Sequence, residues 1–355
     1  MTDHNQNNFS QGVGRTSLTH LLSSQVFPFV TILLSERCNA SCPHCINSDQ
    51  RNQKTHMDEK KLQILIDDLL GENFSNLKLL GGEPTIHPNF TELYPYFQSK
   101  FAQVTLFSNA LNDQIKKIVP RASDYITYNG YFINNSFDTE KFLPRNPHPF
   151  LRTIQNVVNM SFDFDNFRER ALLVRDFFRR QGLENHYVMA LSLDCTEKIF
   201  DHAEALNKIL VAIMDFALKN KVNVTTHRNA PVCFFVDPEL IRLRKLYPGQ
   251  IFPYHICDVT YGQAIIDTDF NLKYCDRMPK ILGNVFKNEF ETIDFEAFKI
   301  LMYQGYVWKM KDNHDLKCHG CKLWGKECNG GCYANLNSTV FQEAFRAGEK
   351  CNTGD

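Results

Sequence analysis

No uninterrupted apolar stretch of about eighteen residues, the length that would suggest a membrane-spanning helix, occurs anywhere in this 355-residue chain. Neither sign of charge dominates: 39 Lys and Arg face 40 Asp and Glu, for a formal net charge of −1. There is no basic block to meet a phosphate backbone, and short runs such as "DQIKKIVPR" read as solvated helix surface, so nucleic acid is excluded as an expected partner. The polar N-terminus, "MTDHNQNNFSQGVGRTSLTH", lacks the basic and apolar regions of an export signal. These absences predict a soluble cytoplasmic protein with no membrane partner.

Cysteine is what the chain has in quantity. Twelve cysteines without an export signal argue against a disulfide framework, because the cytosol keeps thiols reduced. Metal or cluster ligation is the better explanation, and their grouping supports it. Cys38, Cys42 and Cys45 stand together, Cys195 and Cys233 stand alone, and seven lie between Cys257 and Cys351.

Between these groups the chain alternates strand and helix signals. The apolar run "FPFVTILL" reads as a buried strand, and 57–70, "MDEKKLQILIDDLL", carries Leu62, Leu65, Ile66, Leu69 and Leu70 on one helical face. The strand signals "NLKLLGGEP", "AQVTLFSNA" and "DYITYNGYF" follow, separated by helical patterns at "NFTELYPYFQSKF" and "LNDQIKKIVPRA". The polar stretch 135–150 reads as a loop, and "RTIQNVVNMSF" as an extended segment of uncertain register. Two long helix-to-strand passages complete about six strand-helix units, too few for an eight-unit barrel. Past residue 236 the rhythm gives way to turns, short strands and cysteines, which predicts a second domain whose fold leans on metal.

The spacing C-x3-C-x2-C at residues 38–45 suits thiolate ligation of iron. Three thiolates on a cubane leave one iron open, whereas a zinc knuckle would recruit a fourth ligand such as His44. At the next strand end come Gly81, Gly82, Glu83 and Pro84, where glycines permit close approach to a ligand. Ser108 and Asn109 end the third strand signal, and Asn129, Ser192 and Arg228 end later ones.

In these motifs the chain resembles the radical S-adenosylmethionine enzymes. The resemblance implies an α/β partial (β/α)6 barrel over 27–235, after an N-terminal extension at 1–26. One 4Fe-4S cluster would sit on Cys38, Cys42 and Cys45, with S-adenosylmethionine chelated at its open iron. His44 would pack near the adenine, the GGEP loop would receive the methionine amino group, and the strand-end polar residues would hold ribose and carboxylate. One electron from the cluster would release a 5'-deoxyadenosyl radical that abstracts hydrogen, and the protein must orient the cofactor and exclude water.

The C-terminal cysteines, including "CHGCKLWGKECNGGC", resemble the SPASM extension of that family, here 236–355, with two auxiliary 4Fe-4S clusters. Carried over by position, Cys318, Cys321, Cys328 and Cys351 would ligate the distal cluster. Cys257, Cys275 and Cys332 would hold the other, with Cys233 as a candidate fourth ligand or an iron left open to substrate. Two structural zinc sites are the alternative. The chain departs from the family in having Phe270 where a glycine is usual, so the turn there is expected to differ. Asp276 is a candidate base beside Cys275, against a plain turn cap, and Cys195 a candidate hydrogen or proton donor, against an inert buried thiol.

Peptide oxidation or crosslinking is the leading expectation for the reaction. The alternatives are dehydrogenation or epimerisation of a small metabolite such as an amino sugar or amino acid, and a pure electron-transfer protein. A one-electron donor such as flavodoxin or ferredoxin is implied. Because no peptide-recognition domain precedes the first strand signal, a separate recognition protein or direct binding in the mouth is expected.

Overall fold

The computed structural model describes residues 27–42, 45, 55–129, 150–193, 202–226, 237–246, 264–273, 281–286, 293 and 298. Seven strands run parallel in chain order: β1 (Phe27–Ser35), β2 (Phe74–Gly81), β3 (Gln103–Ser108), β4 (Tyr125–Asn129), β5 (Leu151–Val158), β6 (Tyr187–Leu193) and β7 (Val224–Thr226). Because all seven run parallel, every C-terminal strand end opens at the same edge of the sheet, and strands that add in one direction place their crossovers on one face. The segment of uncertain register is β5, paired between β4 and β6.

Alternation along the strands separates the two faces. Val30, Ile32, Leu34, Leu77, Leu79, Val104, Leu106 and Ile126 are sealed in the core with Leu62, Leu65 and Leu69 from the first crossover. On the opposite face the register aligns Thr31, Lys78, Thr105, Tyr125 and Leu151 across β1 to β5, with Phe107, Thr127 and Thr153 in the next row. One face is therefore apolar and covered, and the other mixes polar side chains with apolar ones such as Leu33, Leu80 and Phe107.

The helices are α1 (Glu59–Leu65), α2 (Phe90–Lys100), α3 (Phe164–Arg180), α4 (Ala203–Asn220) and α5 (Pro238–Leu246). Asp58 caps α1 by accepting from the Lys61 amide at 2.9 Å. The helix expected to run through residue 70 instead widens into a π turn at Ile66–Leu70, and all five of its apolar residues are fully buried. A second difference lies at "LNDQIKKIVPRA", where the expected helix is a short 3-10 turn, Asp113–Lys117. Asn112 begins it by accepting from the Gln114 amide, and Pro120 disfavours helical backbone at Val119, leaving too few residues for a stable helix.

Past residue 236 the described residues continue the same body. α5 begins where the Asp237 amide donates to Asn207 of α4 at 3.2 Å. β8 (Ala264–Ile266) pairs parallel with β1, and β9 (Asn271–Lys273) and β10 (Ile281–Asn284) extend the sheet antiparallel. In the β8 to β9 turn Phe270 has φ of 63°, the left-handed conformation that favours glycine. Phe270 thus holds a backbone conformation that glycine adopts without strain. Phe270 is buried and meets Phe286 edge to face at 5.0 Å, contact that offsets the strain. No described helix is long and apolar enough to cross a membrane.

Candidate active site

The cysteine loop leaves the end of β1 through a backbone clamp. The Met57 amide donates to the Leu34 carbonyl and the Glu36 amide to the Thr55 carbonyl, both at 3.1 Å, so residues 34–36 and 55–57 close the loop at its base. The Thr55 hydroxyl adds a bond to the Glu36 carboxylate. Whatever the loop holds is thereby fixed to the sheet.

The GGEP loop lies directly against this base. The Gly82 amide donates to the Ser35 carbonyl at 2.7 Å and the Glu83 amide to the Arg37 carbonyl at 2.8 Å. A Cβ on Gly81 would stand 2.1 Å from the Ser35 oxygen, and one on Gly82 2.3 Å from the Arg37 oxygen. Close approach is the reason for both glycines, as the sequence suggested, but the approaching partner is the cysteine loop's own backbone. Pro84 starts a 3-10 turn that Glu83 caps.

Glu83 is buried and accepts four hydrogen bonds. Its Oε1 takes the Thr85 amide (3.1 Å), the Thr85 hydroxyl (2.6 Å) and the Ser108 hydroxyl (2.8 Å), and its Oε2 takes the Asn109 amide (2.6 Å). Burial pushes this carboxyl upward, and the four donors oppose the shift. Two donors are backbone amides that cannot reverse, so the arrangement matches a carboxylate. Ser108 also accepts from the Ala110 amide at 2.9 Å. Glu83 and Ser108 thus lock the ends of β2 and β3 to each other.

Three described thiols stand above this lock. Cys38, Cys42 and Cys45 are in no disulfide and are half-buried. The Asn109 carboxamide donates to Cys38 Sγ at 3.7 Å and to Asn39 Oδ1 at 2.8 Å, and the Asn129 carboxamide donates to Cys42 Sγ at 3.2 Å. Burial is the main influence raising the Cys38 thiol; Glu83 and Cys45 add to it, while the Ala40 amide and Asn109 oppose it. A thiolate in such a place needs positive charge at the sulfur itself, which iron provides. Among the described residues no group of three His, Cys, Asp or Glu side chains converges on a single ion. A cubane takes each thiolate on a different iron, so its ligands need not converge in that way, and three soft donors on one short loop fit it.

Behind the clamp, His56 and His87 meet edge to face at 5.3 Å. The Asn89 amide donates to His87 Nδ1, so Nε2 carries the proton and donates to the Met57 carbonyl at 3.2 Å. Burial pushes both rings below the usual histidine range. Neither histidine was singled out from sequence, nor were Thr85, Asn39 and Thr55. Only Asn39, inside "CNASC", lay within a motif that might have flagged it.

Of the remaining expected site residues, Ser192 is buried on β6 and accepts from Gln155 at 3.1 Å. His44, Cys195, Arg228, Cys233, Cys257, Cys275, Asp276, Cys318, Cys321, Cys328, Cys332 and Cys351 lie outside the described residues.

Comparison with known proteins places this geometry in context. Residues 32–186 match the model of the radical SAM superfamily. Mycofactocin maturase MftC of Mycobacterium ulcerans is 30% identical over 78 residues, covering 22% of this chain and 21% of that protein. The sporulation killing factor maturation protein SkfB of Bacillus subtilis is 29% identical over 82 residues, covering 23% and 20%. The match thus spans about a fifth of the length of these curated relatives. The crystal structure of Streptococcus suis SuiB bound to precursor peptide SuiA superposes with a TM-score of 0.57 at 15% identity, over 90% of this chain and 74% of that one. At that identity the likeness is one of fold: a mixed α/β sheet of the radical SAM partial-barrel type.

Proposed function

We propose that this radical SAM core, at residues 32–186, is catalytic and modifies a peptide residue by hydrogen abstraction, giving an oxidised or crosslinked product. The observation that carries the reading is the convergence at one sheet edge of the three thiols, the GGEP loop and the ends of β3 and β4. A 4Fe-4S cluster on Cys38, Cys42 and Cys45 would supply the electron that cleaves the carbon-sulfur bond of S-adenosylmethionine and so generates the hydrogen-abstracting species. The chain's own share is to anchor the thiols through the backbone clamp, to hold the strand ends in register through Glu83, and to keep water from the mouth. Of the expected cofactor contacts, His44, Arg228, Asn129 and Ser192 belong to this proposal. Peptide substrates are favoured by two relatives that carry maturation names and by a fold shared with a peptide-bound structure.

The C-terminal cysteines complete the proposal as a SPASM domain over 236–355. Cys318, Cys321, Cys328 and Cys351 would hold one auxiliary cluster, and Cys257, Cys275, Cys332 and Cys233 the other. Asp276 would serve as base and Cys195 as a hydrogen or proton donor. A flavodoxin or ferredoxin would supply electrons, with a separate recognition protein for a peptide. A second reading, dehydrogenation or epimerisation of a small metabolite, draws on the polar side chains Lys78, Thr105, Thr127 and Gln155 among the apolar ones of the second sheet face, since a small-molecule site combines apolar lining with a few polar groups.

Anaerobic reconstitution followed by iron and sulfide counting tests the scheme. About twelve irons per chain, three cubanes, are expected. Release of 5'-deoxyadenosine should require reductant and vanish in Cys38→Ala. Undiminished release by that variant would refute the site, and turnover of amino sugars or free amino acids in preference to peptides would favour the second reading.

A further inference from the structure

Asn109 and Asn129 are the strand-end residues whose side chains reach the cysteines, and the way each is held points to a purpose beyond filling space. The Asn109 carboxamide is fixed in orientation: its Oδ1 accepts the Leu111 amide at 2.9 Å, so a flipped group would set NH2 against N–H. Its Nδ2 is thereby aimed at Cys38 Sγ and Asn39 Oδ1, while its backbone amide is tied to Glu83. Asn129 stands on the neighbouring strand, one residue beyond the Ser108 to Tyr128 pair, and points Nδ2 at Cys42 Sγ. Two adjacent parallel strands thus each end in a carboxamide that donates to a different sulfur of the same loop.

Resting on the reading of that loop as a cluster site, we propose that Asn109 and Asn129 are positioning residues that raise the reduction potential of the cluster through N–H to sulfur hydrogen bonds. A donor dipole aimed at a ligand sulfur stabilises negative charge there, and the reduced cluster carries one more electron than the oxidised one, so the bond favours reduction. The effect is graded. Asn129, whose Nδ2 is 3.2 Å from its sulfur, contributes more than Asn109, whose Nδ2 is 3.7 Å from Cys38 Sγ and also donates to Asn39. The bare alternative is that both amides only brace the loop, in which case the potential would be indifferent to them once the cluster is in place.

The test is an EPR-monitored redox titration of reconstituted full-length protein, following the signal that changes when S-adenosylmethionine is added, with iron and sulfide counted in every sample. Asn129→Leu, which keeps approximate volume and removes the donor, should make reduction less favourable by about tenfold in equilibrium constant, roughly 59 mV for a one-electron couple. Asn109→Leu should shift it in the same direction by less, and Asn129→Asp, which sets an anion against the sulfur, by more. Should Asn129→Leu fail to load, Asn129→Val takes its place, which also lacks a donor; its potential should likewise lie below that of the native protein. Fully loaded variants with the native potential would overturn the assignment of the two asparagines. Native protein that takes up no iron on Cys38, Cys42 and Cys45 would instead overturn the reading of the site.

Discussion

Two buried carboxylates organise turns on the two sides of β1, and they do so by different means. Glu83, beside the cysteine loop, gathers neutral donors from Thr85, Ser108 and Asn109, and so joins the end of β2 to the end of β3. Asp267, in the β8 to β9 turn, accepts from the Asp269 and Asn271 amides at 3.1 and 2.9 Å and pairs with Lys273 at 2.8 Å. All of those Asp267 partners are near neighbours in sequence. The difference teaches that the carboxylate of the hairpin works within its own turn, whereas that of the mouth joins segments far apart in the chain; the hairpin touches the clamp through Thr268, 3.4 Å from the Thr55 hydroxyl. Damage to the hairpin should cost stability alone; damage to the mouth should also cost the loading of the cysteine loop.

The most severe way to probe the mouth is Gly81→Ala. It places a Cβ against the Ser35 carbonyl at a φ of 147°, and about 4 kcal/mol of stability should be lost, read by denaturant melts, with iron content falling as well. Next is Lys273→Met, which leaves Asp267 buried and unpaired and should cost about 3 kcal/mol while leaving iron on the first loop at the native level. Loss of iron in that variant would break the distinction between the two regions. Glu83→Gln sets an NH2 among four donors; about 2 kcal/mol of destabilisation is expected, accompanied by reduced iron uptake. Unchanged uptake would show that the lock is only structural support. The smallest effect sharpens the picture of the hairpin: Phe270→Gly should be more stable than Phe270→Ala by about 1 kcal/mol, because glycine relieves the left-handed strain although both lose the contact with Phe286.

Strands β1 to β4 were legible because each carries apolar residues at strand length beside a turn signal, and the alternation with helices argued for a parallel sheet, whereas β10 (Ile281–Asn284), short and partly exposed, was not singled out. The π turn at Ile66–Leu70 was not, since its leucines and isoleucine keep a helical spacing up to the point where the backbone widens. At the site, the cysteine spacing, the glycine pair and the strand-end asparagines could all be read from local sequence. What the glycines approach, and what Asn109 and Asn129 point at, could not, because those partners come from other loops brought near only by the parallel sheet. Phe270 shows the reverse case. Its identity gave no sign of a left-handed backbone, which burial against Phe286 helps to hold.

The paired backbone bonds joining residues 34–36 to 55–57 make the intervening stretch a replaceable cassette. Its two stems are fastened to the sheet whatever lies between them, and lengthening a closed loop is cheap, about 0.6 kcal/mol for a doubling. Extra length inserted after Cys45 should therefore cost the sheet little, whereas a change at Arg37 to Asn39 would also disturb the bonds to Glu83 and Asn109.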